Sequence, residues 1–106
     1  MQPIQLKELA DAEFDRVLHR KNLRETAMAQ LMVPFAGGLF LARIELMSFL
    51  ATHPSETVCV EDAYNNPILA NRVELLSLLR DSYDNAMRKW HTDFQNSNRV
   101  RRASNV

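Results

Sequence analysis

A chain of 106 residues with 46% hydrophobic and 25% charged side chains has the composition of one globular domain rather than of a disordered segment. Thirteen basic and thirteen acidic side chains give a formal net charge of zero, so the net charge does not attract the molecule to nucleic acid or anionic lipid. A single cysteine, Cys59, excludes an internal disulfide. The N-terminus has no basic segment followed by an apolar core, so we expect a cytoplasmic protein.

The first predicted element is a helix from Pro3 to His19 or Arg20. Pro3 suits the first helical turn, where its missing N–H is not needed. Acidic side chains come before basic ones along this segment, an order that complements the helix dipole. One apolar stripe recurs at helical spacing: Leu6, Leu9, Ala10, Phe14, Val17 and Leu18.

A second helix is predicted to begin at Leu23. Asn22 and Glu25 have the spacing of a capping box, in which Asn22 would accept from the N–H of residue 25 and Glu25 would reach back. This pattern indicates a tight corner at Lys21–Asn22. One unbroken helix through Asn22 is the alternative.

The stretch from Ala27 to Ala42 is apolar apart from Gln30 and contains Pro34 and the pair Gly37–Gly38. Since proline removes a helical hydrogen bond, the helix should kink there, or stop and restart near the two glycines. The segment Leu39–Thr52 is apolar around most of a helical circumference, which predicts a buried central helix or one at a subunit interface.

The segment between residues 54 and 66 is predicted to be the longest connection, after a helix end at His53. Val58–Cys59–Val60 within it is interpreted as a brief extended piece or a single turn, and no sheet is predicted. Asn66 and Pro67 suit the cap and first position of a last helix.

This last predicted helix runs to Asn96 and would be about 42 Å long, so part of it should protrude from the domain. Its apolar stripe contains Leu69, Val73, Leu76, Tyr83, Met87, Trp90 and Phe94. Residues 97–106 carry three arginines and no acid, which indicates a basic flexible tail after a single domain of residues 1–96. The predicted fold is therefore all-α: a small three- to four-helix bundle with a long C-terminal helix and a kink or break near Pro34–Gly38.

No pattern of residues indicates catalysis, and we expect neither an enzyme nor a bound metal or cofactor. His19, His53 and His91 lie on different predicted elements without ligand spacing, and Cys59 has no nearby cysteine or histidine in the sequence. Glu61–Asp62 is interpreted as a solvated turn, because it lacks the spaced acidic residues of a hydrolytic or magnesium site.

The function predicted from this apolar surface is a helical protein–protein interaction module, an adaptor or a subunit of a larger assembly. The predicted partner-binding residues are Tyr83, Met87, Trp90 and Phe94, followed by the segment from Phe35 to Phe40. The partner would be a second copy or another helical protein, and we expect an oligomer.

Two alternatives follow from other features of the sequence. Arg99, Arg101 and Arg102, with the basic end of the first helix, could neutralise phosphates in a nucleic acid. The apolar segment 27–50 could associate with a membrane, although proline, glycines and charges interrupt it.

Overall fold

Three helices and two β-hairpins make up the computed structural model, which describes the backbone of residues 3–104 and the side chains of residues 7–99. The elements are α1 (Pro3–Ala29), β1 (Met32–Phe35), β2 (Gly38–Leu41), α2 (Ile44–Thr52), β3 (Thr57–Glu61), β4 (Pro67–Asn71) and α3 (Arg72–Ser104). Strand β1 pairs antiparallel with β2, and β3 pairs antiparallel with β4. The fold is therefore a mixture of helices and strands, and the predicted all-α bundle is wrong.

The helix α1 is continuous through Lys21 and Asn22, so the predicted corner there is wrong. The carbonyl of Asn22 accepts a hydrogen bond from Thr26 Oγ1 at 2.9 Å, and Lys21 Nζ lies 3.9 Å from a carboxylate oxygen of Glu25. Both contacts join residues four apart on an unbroken helix. Lysine, leucine, arginine and glutamate around Asn22 are good helix formers, so continuing the helix costs little at one asparagine.

The predicted kink or break near Pro34 is the tight turn of the first hairpin. Ala36 and Gly37 form its two-residue loop with φ angles of 52° and 83°, the left-handed pair that matches the twist of a hairpin. Pro34 lies opposite Leu39, one pair beyond the loop-closing pair. At that position the N–H of β1 points away from β2, so proline loses no hydrogen bond of the ladder.

The second hairpin replaces the predicted connection and the predicted start of the last helix. Val58 and Val60 are buried on one face of β3 and lie opposite Ala70 and Ile68 of β4. The chain is therefore extended from Pro67 onward, and α3 begins five residues later than predicted. Asn71 is its cap, because Asn71 Oδ1 accepts from the N–H of Glu74 at 3.0 Å.

The hydrophobic core lies between the two hairpins, α2 and the first half of α3. Four large side chains in it are fully buried: Phe40, Leu50, Leu75 and Leu79. Only the second part of the predicted central helix is helical, because Leu39–Leu41 belongs to β2 and α2 begins at Ile44.

Arg72 connects the start of α3 to the end of α2. Its guanidinium donates to the carbonyls of Leu50 at 2.7 Å and Ser55 at 2.9 Å, and its backbone N–H donates to the carbonyl of Glu56 at 2.8 Å. Leu50 is in the last turn of α2, where helix carbonyls lack partners within the helix. Arg72 therefore satisfies one of them and fixes the connection from α2 to β3.

The molecule measures 65 × 25 × 21 Å, so α1 and α3, about 40 and 50 Å long, both run along its long axis. The end of α1 lies beside the third turn of α3, where Ser82 Oγ donates to the carbonyl of Gln30 at 2.9 Å. The helices pack against each other. They are antiparallel, because the opposite orientation would give a molecule about 75 Å long.

These dimensions divide the molecule into two parts. We call residues 27–85 the head, and residues 3–26 of α1 with residues 86–104 of α3 the arm. The helix α3 continues to Ser104, so residues 97–104 of the predicted tail have a helical backbone. Residues 105 and 106 of that tail lie outside the described residues.

Candidate interaction surface

The helix α1 leaves the head and exposes its side chains along most of its length. Each side chain from Lys7 to Asn22 is exposed. Among them are apolar side chains with large exposed fractions: 58% for Leu9, 66% for Phe14 and 54% for Val17. Since α3 is the helix that packs beside α1 in the arm, one neighbour leaves most of the circumference of α1 open to solvent.

Four of the exposed residues form a stripe on one side of α1: Ala10, Phe14, Val17 and Leu18. We call it the α1 stripe. At 3.6 residues per turn, Phe14 and Leu18 lie about 140° and 180° around the helix from Ala27. Ala27 is buried where α1 packs on the head. Phe14 and Leu18 therefore face away from the side of the helix on which Ala27 is buried, whereas Val17 and Ala10, about 80° and 100° from Ala27, lie at its side.

The charges of α1 divide at its middle. Residues 7–15 carry four acidic side chains and one basic side chain, a net charge of −3, whereas residues 16–25 carry four basic and one acidic, a net charge of +3. All of these side chains are exposed. Glu13 and Arg16 approach each other at 3.5 Å near the boundary. The exposed helix therefore has an acidic half and a basic half along one continuous rod.

An open groove of about 290 Å³ lies on the α3 part of the arm. It is lined by Met87, Trp90, His91 and Phe94, and Phe94 is 38% exposed. The structure thus brings together three of the residues predicted to bind a partner. Tyr83, the fourth, is half-buried against the core and lies outside this groove.

The other predicted site residues are placed differently. Phe40 is fully buried in the core, which leaves it no surface to offer a partner, and Phe35 is half-buried against that core. Arg99 is exposed beside Phe94 and Gln95 on the arm. The side chains of Arg101 and Arg102 lie outside the described residues.

Asp62 is buried, and the predicted solvated turn is wrong for this residue. Asp62 Oδ1 accepts from the N–H groups of Tyr64 at 3.0 Å and Asn66 at 2.9 Å, and Oδ2 accepts from that of Leu39 at 3.1 Å. The hydrogen bond from Asn66 is the main cause that lowers the pKa of the Asp62 carboxyl, against an opposing effect of burial.

Asp62 joins the two hairpins. It organises the loop between β3 and β4 and reaches the outer edge of β2 at Leu39, whose carbonyl also accepts from the N–H of Ala63 at 2.7 Å. The sequence contains a local signal for this loop, because Asn65 and Asn66 follow Asp62 within one turn. Aspartate and asparagine side chains typically hydrogen-bond nearby backbone groups in turns. All three partners are backbone N–H groups, so the contacts of Asp62 stabilise the loop and the two hairpins and do not form a catalytic arrangement.

The described residues contain no group of three histidine, cysteine, aspartate or glutamate side chains that could hold a metal ion. Cys59 is exposed on the outer face of β3, where it pairs with Leu69. Within residues 3–104 no helix combines the length and the apolar character needed to cross a membrane.

Comparison with protein-family models, curated proteins and solved structures finds no match for this chain. The head also has exposed apolar side chains, for example Leu69 and Tyr64, but the α1 stripe combines such side chains with a divided charge on one helix.

Proposed function

We propose that this protein is a non-enzymatic helical interaction module, a subunit of a larger assembly that docks through its arm. One observation carries the proposal: α1 extends from the head with Phe14 and Val17 more than half exposed. Apolar side chains grouped on one side of an exposed helix are typical of a surface that a partner covers.

The energetics of helices support this proposal. Helical segments in water are marginally stable by themselves, and packing of an apolar face supplies most of their stability in proteins. Covering a phenylalanine, valine or leucine side chain contributes roughly 1.5–3 kcal/mol each. A helical partner on the α1 stripe would supply this stabilisation, which the arm receives only in part from α3.

The groove lined by Met87, Trp90 and Phe94 supports the same function from the other helix of the arm. Aromatic side chains with one open face are frequent anchors at protein interfaces. We propose this groove as a second contact area on the arm, and Phe40, which is fully buried, is not part of it.

Two alternative functions have weaker support. The basic half of α1 could contact phosphates, but the acidic half lies on the same exposed helix and would repel them. The apolar segment 27–50 is divided among the end of α1, the first hairpin and most of α2, so it does not present one continuous apolar surface to a membrane.

The proposal is tested by light scattering combined with a dye that fluoresces on exposed apolar surface. We expect the purified protein either to be oligomeric or, as a monomer, to bind the dye. Phe14→Glu should weaken association, or reduce dye binding, by about tenfold because it places a charge in the α1 stripe.

Ala12→Glu is the matched control for this substitution. It adds the same charge to the same part of the exposed helix but lies outside the α1 stripe. A monomer that binds no dye, with Phe14→Glu and Ala12→Glu indistinguishable from the unmodified protein, would contradict the proposed function.

A further inference from the structure

We infer that the occupant of the α1 stripe is the α1 helix of a second copy of this chain, in antiparallel orientation. The inference rests on the proposed function and names its partner. The two copies would be related by a two-fold axis that passes α1 midway between Phe14 and Leu18. The interface would be the same surface on both copies, as two-fold symmetry requires.

The divided charge of α1 selects this partner and this orientation. In an antiparallel pair, the acidic half of each helix, net −3, lies along the basic half of the other, net +3, and the match occurs twice. A parallel pair would place acid beside acid and base beside base. Since like-charge contacts across an interface disfavour association, the pattern favours antiparallel pairing.

The side chains of the α1 stripe suit the same two-fold axis. With the axis midway between Phe14 and Leu18, Phe14 of one copy lies against Leu18 of the other, and Val17 lies close to the axis in both. Glu13 and Arg20 are seven residues apart and so occupy the same flank of the helix. Antiparallel pairing brings Glu13 of each copy toward Arg20 of the other.

The shape of the molecule accommodates this arrangement. The paired segment, residues 7–25, is about 28 Å long, and the arm extends along the 65 Å axis of the molecule. Antiparallel arms place the two heads at opposite ends, where they do not meet. Each copy contributes α1 and the second half of α3, so the two α1 helices pair between the two α3 helices.

Charge reversal in one half of α1 provides the first test. The acidic-half variant carries Asp11→Lys and Glu13→Lys, and the basic-half variant carries Arg20→Glu and Lys21→Glu. Either variant alone gives both halves of α1 the same sign of charge. The dissociation constant of its homodimer at low salt should therefore rise by about tenfold or more, measured by sedimentation equilibrium.

An equimolar mixture of the two variants should recover dimers, and these should contain one chain of each kind by native mass spectrometry. A single chain with all four substitutions has its charge order reversed and should again form homodimers. Circular dichroism of each variant checks that helix content is retained, because the altered side chains are exposed in the unmodified chain.

Single cysteines provide the second test, with Cys59→Ser as the background. Near the two-fold axis a residue meets its own counterpart, so Val17→Cys should give a covalent dimer under mild oxidation by oxidised glutathione. Ala10→Cys should not, because antiparallel pairing separates the two copies of residue 10 by about 18 Å along the helix. A parallel pair would link both variants.

The outcomes separate this inference from the proposed function. Undiminished homodimers of both charge variants, or covalent dimers of Ala10→Cys, would overturn antiparallel pairing. A monomer that still binds apolar dye in a Phe14-dependent manner would overturn the second copy as partner while leaving the interaction module intact. A monomer without dye binding would contradict both.

Discussion

The head and the arm both expose apolar side chains, but the head also encloses four large ones that are fully buried, whereas each large apolar side chain of α1 from Lys7 to Asn22 is exposed. Leu75 and Leu79, in the first half of α3, are fully buried, whereas Phe14 and Val17 of α1 are more than half exposed. In the head, two hairpins and α2 surround α3. In the arm, α1 and α3 pack against each other, and Ala86 and Met87 at the start of the arm reach the edge of the core.

This difference indicates how stability is distributed along the chain. In the head each core side chain is enclosed by several elements, so its removal leaves a cavity. In the arm a stripe side chain has solvent on one side and contributes to stability only when a partner is bound. Truncation of an apolar side chain should therefore lower the stability of the monomer in the head core but hardly change it in the α1 stripe.

The largest effect should come from truncating a core leucine. Leu79→Ala should lower the free energy of unfolding by about 2–5 kcal/mol, because it leaves a cavity at a fully buried position. Phe14→Ala, its counterpart in the arm, should change the stability of the monomer by less than about 0.5 kcal/mol and weaken association instead. Urea unfolding below the association concentration measures both.

An equal loss of monomer stability in the two variants would remove the distinction between head and arm. The comparison requires a dilute sample, because self-association would add stability to the unmodified protein that Phe14→Ala lacks.

The sequence predicted the helices of this fold better than its strands, for a physical reason. Apolar spacing over many turns predicted a long first helix and a long last helix, and α1 and α3 confirm that both exist. The hairpins are four- and five-residue strands, too short for periodicity to distinguish them from helix. Their signals were local: Pro34 and Gly37 around one turn, and the alternation of Thr57–Glu61.

The two incorrect helix boundaries have a common cause. Asn22 and Asn66 both resemble caps, but a cap forms only where the surrounding chain leaves N–H groups without partners. At Asn22 the helix continues and satisfies them. At Asn66 the N–H donates to Asp62 and the following residues pair with β3, so the cap is Asn71 instead.

The candidate site was predictable in part. The distal residues of the last helix were expected to form a surface, and Met87, Trp90 and Phe94 do line one groove. The α1 stripe was predicted as an apolar stripe but not as an exposed one. Exposure depends on which elements cover it, and that follows from the tertiary arrangement, in which the hairpins cover α3 rather than α1.

A smaller difference between the parts should appear in their charged contacts. Arg72→Met in the head should lower the free energy of unfolding by about 1.5–3 kcal/mol, since it removes charge-assisted hydrogen bonds to the carbonyls of Leu50 and Ser55. In the arm, Lys89→Met breaks the 2.8 Å ion pair with Asp93 and should cost at most about 0.5 kcal/mol.

Chemical denaturation of Arg72→Met and Lys89→Met measures this pair, because both substitutions replace one cation by an unbranched apolar side chain. Equal losses would mean that the contacts of Arg72 do not hold α2 and α3 together, and that the head has no advantage over the arm in its polar contacts.

The last difference is confined to acid pH and concerns Asp62 in the head. Its pKa in the folded protein lies below the ordinary value of 3.8, so its carboxylate stabilises the fold above that pH. As the pH falls below about 4, the unfolded chain takes up the proton first and this stabilisation is progressively lost. Asp62→Asn should be less stable than the unmodified protein at neutral pH, because an amide cannot accept from all three N–H groups with both of its polar atoms.

The stability gap between Asp62→Asn and the unmodified protein should therefore narrow as the pH falls from 7 to 3, measured by urea midpoints. Glu56→Gln, at an exposed position in the loop before β3, serves as the control for loss of one carboxylate. A gap that stays constant over this range would show that the charge of Asp62 does not hold the two hairpins together, and that the oxygen atoms alone suffice. A gap that narrows would show that the charge of Asp62 contributes to the stability of the head beside its apolar core.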